Sequence, residues 1–215
     1  VPAPTAEATA PPATVAEATV PPPTAEPTAP PAPTDTLEPP TPAPYEVLWA
    51  YPTGGAIWGA ATVSEGTVYA GSDDGHLYAL EAASGRQKWA FETQGIVRSQ
   101  PALAGGWVIF ASDDGYLYAV DAQSGELAWR TDIGNTTPRS VRADLGSSPD
   151  PTGYDYRQSS PVVAGGQVYV GSADGNVYAL AADTGKVTWT FKTGEKVRAT
   201  PVLGGGVVYI GSWSK

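Results

Sequence analysis

The chain has 215 residues but no cysteine, no methionine, one histidine (His76) and three phenylalanines. Without cysteine there is no disulfide scaffold, no thiolate zinc site and no thiol nucleophile. A single histidine excludes multi-histidine metal sites and most triad chemistry. No run of 18 apolar residues occurs, so no segment reads as a membrane-spanning helix. Twelve basic residues against 22 acidic ones give a net charge of -10, the reverse of the basic face that a nucleic-acid binder presents. HExxH, G-x-S-x-G and a phosphate-binding glycine loop are all missing. The chain opens on valine with no cationic-then-apolar leader, so no secretion signal is read in it. The missing initial methionine suggests a mature, excised or incomplete chain.

What is present divides sharply. Fifteen of the 22 prolines fall in residues 1–44, whereas all 25 glycines and every aromatic residue follow. Residues 1–44 are mostly Pro, Ala, Thr, Glu and Val, and their five acidic residues meet no Lys or Arg. Such a segment has too little apolar surface to offset its chain entropy, so a disordered linker is expected. Proline biases it to polyproline II, and at roughly 3.1 Å per residue it spans on the order of 100 Å when extended. Thr beside Pro also resembles an O-glycosylated stalk, the alternative to an unmodified linker. Linkers of this kind separate membrane or wall anchors from exposed domains. The expected address is extracytoplasmic: cell surface, periplasm or secreted.

Residues 45–215 are a repeat. Trp49, Trp89, Trp129 and Trp189 are spaced by 40, 40 and 60 residues. Upstream of them VYAGSDDGHLYAL (68–80), VIFASDDGYLYAV (108–120) and VYVGSADGNVYAL (168–180) are one pattern written three times, and VYIGSW (208–213) begins a fourth. A period near 40 residues marks a repeat architecture. Within 96–135 the pattern predicts four strands: Arg98–Leu103, Val108–Ser112, Tyr116–Asp121 and Glu126–Asp132. Turns fall at Gly105-Gly106, Asp114-Gly115 and Ser124-Gly125. Asp114-Gly115 is read as the two positive-φ residues of a tight hairpin. Four short strands per repeat make an antiparallel meander, and stacked meanders of this period form propeller blades. The predicted fold class is all-β: an incomplete β-propeller of four-stranded blades behind the 1–44 linker. Its blades are 56–95, 96–135 and 156–195, with two strands of another over 196–212. The segment 45–54 reads as a lone fourth strand, and Trp49 is assigned to completing the last blade. The incomplete last blade is expected to expose a sheet edge.

The segment AVDAQSGELAWRT (119–131) resembles the A-x-D-x-x-T-G-x-x-x-W repeat of quinoprotein-like propellers, and the resemblance extends over 45–215. ALEAASGRQKW (79–89) and ALAADTGKVTW (179–189) match with departures: Glu81 and Ala181 replace the motif Asp, and Ser84 and Ser124 replace Thr. The family includes pyrroloquinoline quinone dehydrogenases, outer-membrane assembly scaffolds and extracellular sensor domains of bacterial Ser/Thr kinases. The resemblance implies that Trp49, Trp89, Trp129 and Trp189 dock between blades. Its enzymes use a central cation and a carboxylate base, and one branch a vicinal Cys pair. This chain has no Cys, and RSQPAL, RQSSPVV and VRATPVL hold no Asp or Glu. No catalytic residue, metal ligand or cofactor is therefore assigned. Pyrroloquinoline quinone and Ca²⁺ belong only to the alternative, a fragment of a quinone-dependent dehydrogenase. The Asp-Gly turns are explained by hairpin chemistry rather than by Ca²⁺, which wants six or more oxygens. His76 stands where Tyr116 and Asn176 stand in sister repeats and is read as a variable strand-edge residue. Asn135-Thr136-Thr137 fits a glycosylation sequon of the kind expected by chance.

One face stands out. In a four-stranded meander the second–third turn and the blade-to-blade connection lie at the same end. The insertion 136–155 therefore shares a face with the Asp-Gly hairpins. The innermost segments lead in at Trp58, Arg98, Gln158 and Arg198, and Arg139 and Arg142 lie in the insertion. These six residues are the candidate ligand-binding set, for a protein or an acidic small ligand gripped by Arg. The competing reading pairs the arginines with aspartates such as Asp113 and Asp144. The expected function is an extracytoplasmic recognition or scaffold module without catalysis, with no nucleic-acid partner and a membrane link only through an anchor outside the chain.

Overall fold

The computed structural model describes residues 46–134 and 159–213. The 1–44 linker, the 136–155 insertion with Arg139 and Arg142, Gln158 and the sequon lie outside the described residues. Among the described residues every regular element is a β-strand. Three four-stranded antiparallel sheets follow one another. The first is β1 (Thr62–Ser64), β2 (Thr67–Gly71), β3 (His76–Glu81) and β4 (Gln87–Glu92). The second is β5 (Ala102–Ala104), β6 (Trp107–Ala111), β7 (Tyr116–Asp121) and β8 (Leu127–Asp132). The third is β9 (Val162–Ala164), β10 (Gln167–Gly171), β11 (Asn176–Ala181) and β12 (Val187–Lys192). A two-stranded sheet, β13 (Val202–Gly204) and β14 (Val207–Tyr209), comes last. Strand order is sequence order in every sheet, so each is a meander. This is the incomplete propeller that the repeat predicts.

The central blade shows why the strands read as near-continuous apolar runs. Successive side chains point to opposite faces of a sheet. Val108, Phe110, Tyr118 and Val120 pack with Tyr69, Leu77, Ala79 and Trp89 of the first blade. Their neighbours Ile109, Ala111, Leu117 and Ala119 pack with Val168, Val170 and Leu180 of the third. Both faces of β6 and β7 are thus buried, and each large side chain there contributes about 1.5–3 kcal/mol. Phe110 stacks on Tyr118 at 5.4 Å, and Phe91 meets both edge-on.

Three local expectations need correction. The two-residue turn with positive φ at both positions is not Asp114-Gly115. It is the first turn of each blade, Glu65-Gly66 (φ 47° and 70°), Gly105-Gly106 (56° and 87°) and Gly165-Gly166 (58° and 75°). The Asp-Gly loop spans four residues, Ser112 to Gly115, with Gly115 N–H donating to Ser112 O at 3.1 Å and only Gly115 at positive φ. That is a type I turn closed by a left-handed glycine. The innermost strand is also shorter than Arg98–Leu103, because Pro101 has no N–H to offer and Ser99 replaces a ladder rung with its hydroxyl. Ser99 Oγ accepts from Ala111 N at 2.8 Å and donates to Ala111 O at 2.9 Å. Finally, the described part of 45–54 is not a strand and pairs with neither β13 nor β14. It lies on the first blade, held by Trp49 Nε1 donating to Ala82 O at 2.8 Å and Gly54 N donating to Asp74 Oδ2 at 2.7 Å.

Candidate functional site

The four tryptophans occupy one repeat position but not one environment. Trp89 Nε1 donates to Ala122 O and Trp129 Nε1 to Ala182 O, both at 3.1 Å and both in the following blade. Each ring lies over the left-handed glycine that follows the acceptor. A Cβ on Gly125 (φ 75°) would stand 2.7 Å from Trp89 Cδ2, so only glycine fits. Trp49 makes the same contact with Ala82 and Gly85 of the first blade. Trp189, by contrast, is 41% exposed and has as its ring neighbour Tyr169 of its own blade, at 6.0 Å.

Each hairpin between second and third strands is organised by a carboxylate, and that of the second blade is also tied to the blade before it. Asp74 Oδ1 accepts from His76 N at 3.0 Å, and Oδ2 accepts from Tyr78 Oη at 2.8 Å and from Gly54 N. Asp114 repeats this with Tyr116 N (3.1 Å), Tyr118 Oη (2.6 Å) and Gln94 N (3.1 Å), the last from the preceding blade. Asp174 accepts from Asn176 N at 2.9 Å and from Tyr178 Oη at 2.6 Å. Burial and the adjacent carboxylate raise the Tyr78 and Tyr118 phenols above their ordinary range, and push Tyr178 up to about 12. Burial also pushes Asp74 upward, but the hydrogen bonds from Tyr78, His76 and Gly54 outweigh it and hold the carboxyl below its ordinary value of 3.8. His76 Nδ1, 3.1 Å from Asp74 Oδ1, joins the same cluster. The role of these aspartates in the hairpins went unremarked, although the D-G-x-x-Y spacing at 74–78, 114–118 and 174–178 is the signal that finds them.

A pH dependence follows from the depressed Asp74 value. Its contribution to stability is fully present above 3.8 and is lost as pH falls through the lower folded value. The Asp74→Asn chain is expected to be about 1.5–3 kcal/mol less stable than the parent at pH 7, the worth of hydrogen bonds to a charged group. The gap in midpoint should shrink when urea titrations are repeated below pH 4. A gap that stays constant to pH 2.5 contradicts this account.

Of the six candidate ligand residues, the structure brings two together. Arg98 Nε donates to Asp73 Oδ1 and Nη2 to Asp73 Oδ2, both at 2.7 Å. Trp58 Nε1 donates to the same Oδ2 at 3.0 Å, and the Arg98 guanidinium stands 5.8 Å from the Trp58 ring centre. Arg98 therefore pairs with the hairpin of the preceding blade. The pair is largely sheltered, with side-chain exposures of 7% for Arg98 and 18% for Asp73, while Trp58 is 71% exposed. Two of the five guanidinium donors are spent in a planar two-point contact. Arg198 takes the corresponding position two blades on. Ala173 stands there in place of Asp73, and the guanidinium lies 3.8 Å from the ring centre of Trp213, itself 62% exposed. Trp213 was not among the candidates. It falls on the aspartate position of the hairpin pattern, GSW against GSD, which is the departure that marks it.

The carboxylates of this face are thus occupied by donors: Asp73 by Arg98 and Trp58, Asp74 and Asp114 by phenols and main-chain N–H groups. A hard cation needs such oxygens free. Among the described residues no group of three His, Asp or Glu side chains is placed to hold a metal ion.

The family model described as outer membrane protein assembly factor BamB matches residues 42–150 and 142–212. No curated protein sequence matches the chain. Among solved structures, BamB from Moraxella catarrhalis is similar with a TM-score of 0.62 and 22% identity, covering 77% of this chain and 47% of that one. The chain thus spans about half the length of that protein. The computationally designed Ika4 protein is similar with a TM-score of 0.60 and 16% identity, covering 79% and 92%. A europium-containing methanol dehydrogenase gives 0.52 and 21%, covering 68% and 27%. At these identities the structural likenesses carry the fold alone.

Proposed function

Since the chain belongs to the family of the outer membrane protein assembly factor BamB, we propose that it is a binding and scaffolding module for a protein partner, working outside the cytoplasm and doing no chemistry of its own. The observation that carries this reading is a pair of exposed indoles backed by guanidinium groups, Trp58 on Arg98 and Trp213 on Arg198. Both fall at the hairpin ends of their sheets. Trp and Arg are the side chains most enriched at protein–protein hot spots. The Trp58 ring is fixed by its bond to Asp73, so little side-chain entropy is lost on binding. Arg98 holds this face together in the present reading. The grip on an acidic segment of the partner is assigned to Arg198, together with Arg139, Arg142 and Gln158.

A photo-crosslinking residue at Ile57, beside Trp58, tests the reading in cells. It should capture one defined envelope polypeptide, and Trp58→Ala should reduce the adduct several-fold. The same group at Ala83, in a turn at the opposite end of the blade, should capture none. Equal labelling from both positions, or none from either, would sink the proposal.

A further inference from the structure

The seam between the first and second blades is framed by two complete four-stranded sheets. Register places the side chains at its outer mouth. Tyr118 pairs with Arg130 and Tyr116 with Asp132, and cross-strand partners share a face. Tyr118 belongs to the core shared with the first blade, and Phe91 and Tyr116 pack against that core. Arg130 and Asp132 therefore stand on the face turned to the first blade, on the outermost strand. Leu127 pairs with Val120 of the same core and is 48% exposed.

The Arg130 guanidinium lies over the Tyr116 ring, 4.9 Å from its centre. That ring stands 6.1 Å from Tyr118, which meets Phe91 at 5.7 Å. Burial and the Asp114 carboxylate raise the Tyr118 phenol, and the nearby Arg130 charge opposes them. Arg86 is paired with Glu81 and Arg98 with Asp73. Exposed Arg130 is paired with no carboxylate of the described residues. The next seam has the same frame and different contents. Thr131, Asn176 and Thr190 stand there for Phe91, Tyr116 and Arg130. The third blade docks on the second without any of the three, so blade packing alone does not call for them.

We propose that this rim is a subsite for a single carboxylate carried beside an apolar group, as where Asp, Glu or a chain end follows a large apolar residue in a partner segment. Stacking holds the guanidinium flat and leaves its N–H edge for a two-point contact. Phe91 and Leu127 supply the apolar wall. Charge sets the limit on the ligand. Asp132 shares the face and the chain carries -10, so one carboxylate is admitted opposite Arg130 while a dianion or an acidic run is repelled. The subsite is independent of the partner assigned to Trp58 and Arg198.

Amide and guanidinium NMR of the 215-residue chain, titrated with phenylpropionate, tests this. The probe joins one ring to one carboxylate, and phenylpropanamide has the same shape without the charge. The acid should bind with a Kd of about a millimolar, shifting the Arg130 Nε–H and the amides of Phe91, Tyr116 and Leu127. The neutral amide should bind at least about tenfold more weakly, and inorganic phosphate at least about threefold more weakly. Arg130→Gln should lose at least about tenfold with an unchanged circular dichroism spectrum, and Tyr116→Asn, the residue of the sister repeat, at least about threefold. Equal binding of acid and amide, phosphate as tight as the acid, an Arg130→Gln chain that binds like the parent, or no saturable shift by about 20 mM each overturns the proposal. So does a parent that responds only after Asp144, Asp150 and Asp155 are changed to Asn, since its own chain then fills the site. Should Arg130→Gln unfold, the acid and amide arms on the parent decide.

Discussion

Trp89→Ala is expected to cost about 3–5 kcal/mol, or roughly 10 °C in Tm, whereas Trp189→Ala is expected to cost less than about 1 kcal/mol. The two residues align in the repeat, so sequence position gives no reason for a difference. Environment gives it. Trp89 is 8% exposed and sits among Tyr69, Val108, Phe110 and Tyr118. Truncation there leaves a cavity between two blades and takes from Ala122 O its 3.1 Å indole donor, leaving it the Tyr69 hydroxyl at 3.2 Å. The surrounding strands are anchored in two sheets and collapse poorly into the space. Trp189 is 41% exposed and has no following alanine carbonyl to meet among the described residues. Its removal loses a partial contact with Tyr169 at 6.0 Å. Thermal unfolding of both single variants is sufficient. Equal losses mean that the exposed tryptophan is covered in solution.

The repeat made the blades legible because each carries the same punctuation. Asp-Gly and Gly-Gly pairs bracket apolar runs at fixed offsets, so strand number, strand order and three blade spans follow from spacing alone. The turn types did not follow. A dipeptide rule favours Asp114-Gly115 for a two-residue hairpin, but Ser112 and Asp113 are also in the loop, and Ser112 O closes it from Gly115 N. The rule attends to the dipeptide and not to where the ladder stops. The partner of Arg98 was hidden for a different reason. Asp113 follows it by 15 positions within one blade, and Asp73 precedes it by 25 in another. Only the angle between neighbouring sheets puts the guanidinium beside the second. Trp213 escaped because it breaks the pattern on which the reading was built, and an alignment of repeats rewards agreement. Positions that vary between blades carry the candidate face, and spacing says nothing about what varied positions touch.

The Arg98–Asp73 pair decides whether this face is a structural joint or a ligand grip, and the two roles predict different energetics. Asp73→Ala leaves a guanidinium that is 7% exposed without its two-point acceptor. Breaking a sheltered pair from one side costs about 3 kcal/mol, because the guanidinium loses its two-point carboxylate acceptor. Arg98→Ala exposes a carboxylate that is already 18% exposed and keeps the Trp58 donor at 3.0 Å, so it should cost less. The double variant Asp73→Leu with Arg98→Met removes both charges and keeps the volume. It should recover most of the Asp73→Ala loss, with a coupling energy of about 2 kcal/mol in the cycle. A joint between blades shows this coupling with no ligand present. A grip for an acidic ligand shows little coupling in stability, and its single variants unfold like the parent. The same cycle reports on Trp58, whose indole loses its anchor in Asp73→Ala but not in Arg98→Ala. Crosslinking from Ile57 should therefore fall in the first variant and persist in the second. Loss in Arg98→Ala alone would return the arginine to the binding surface and remove it from the joint.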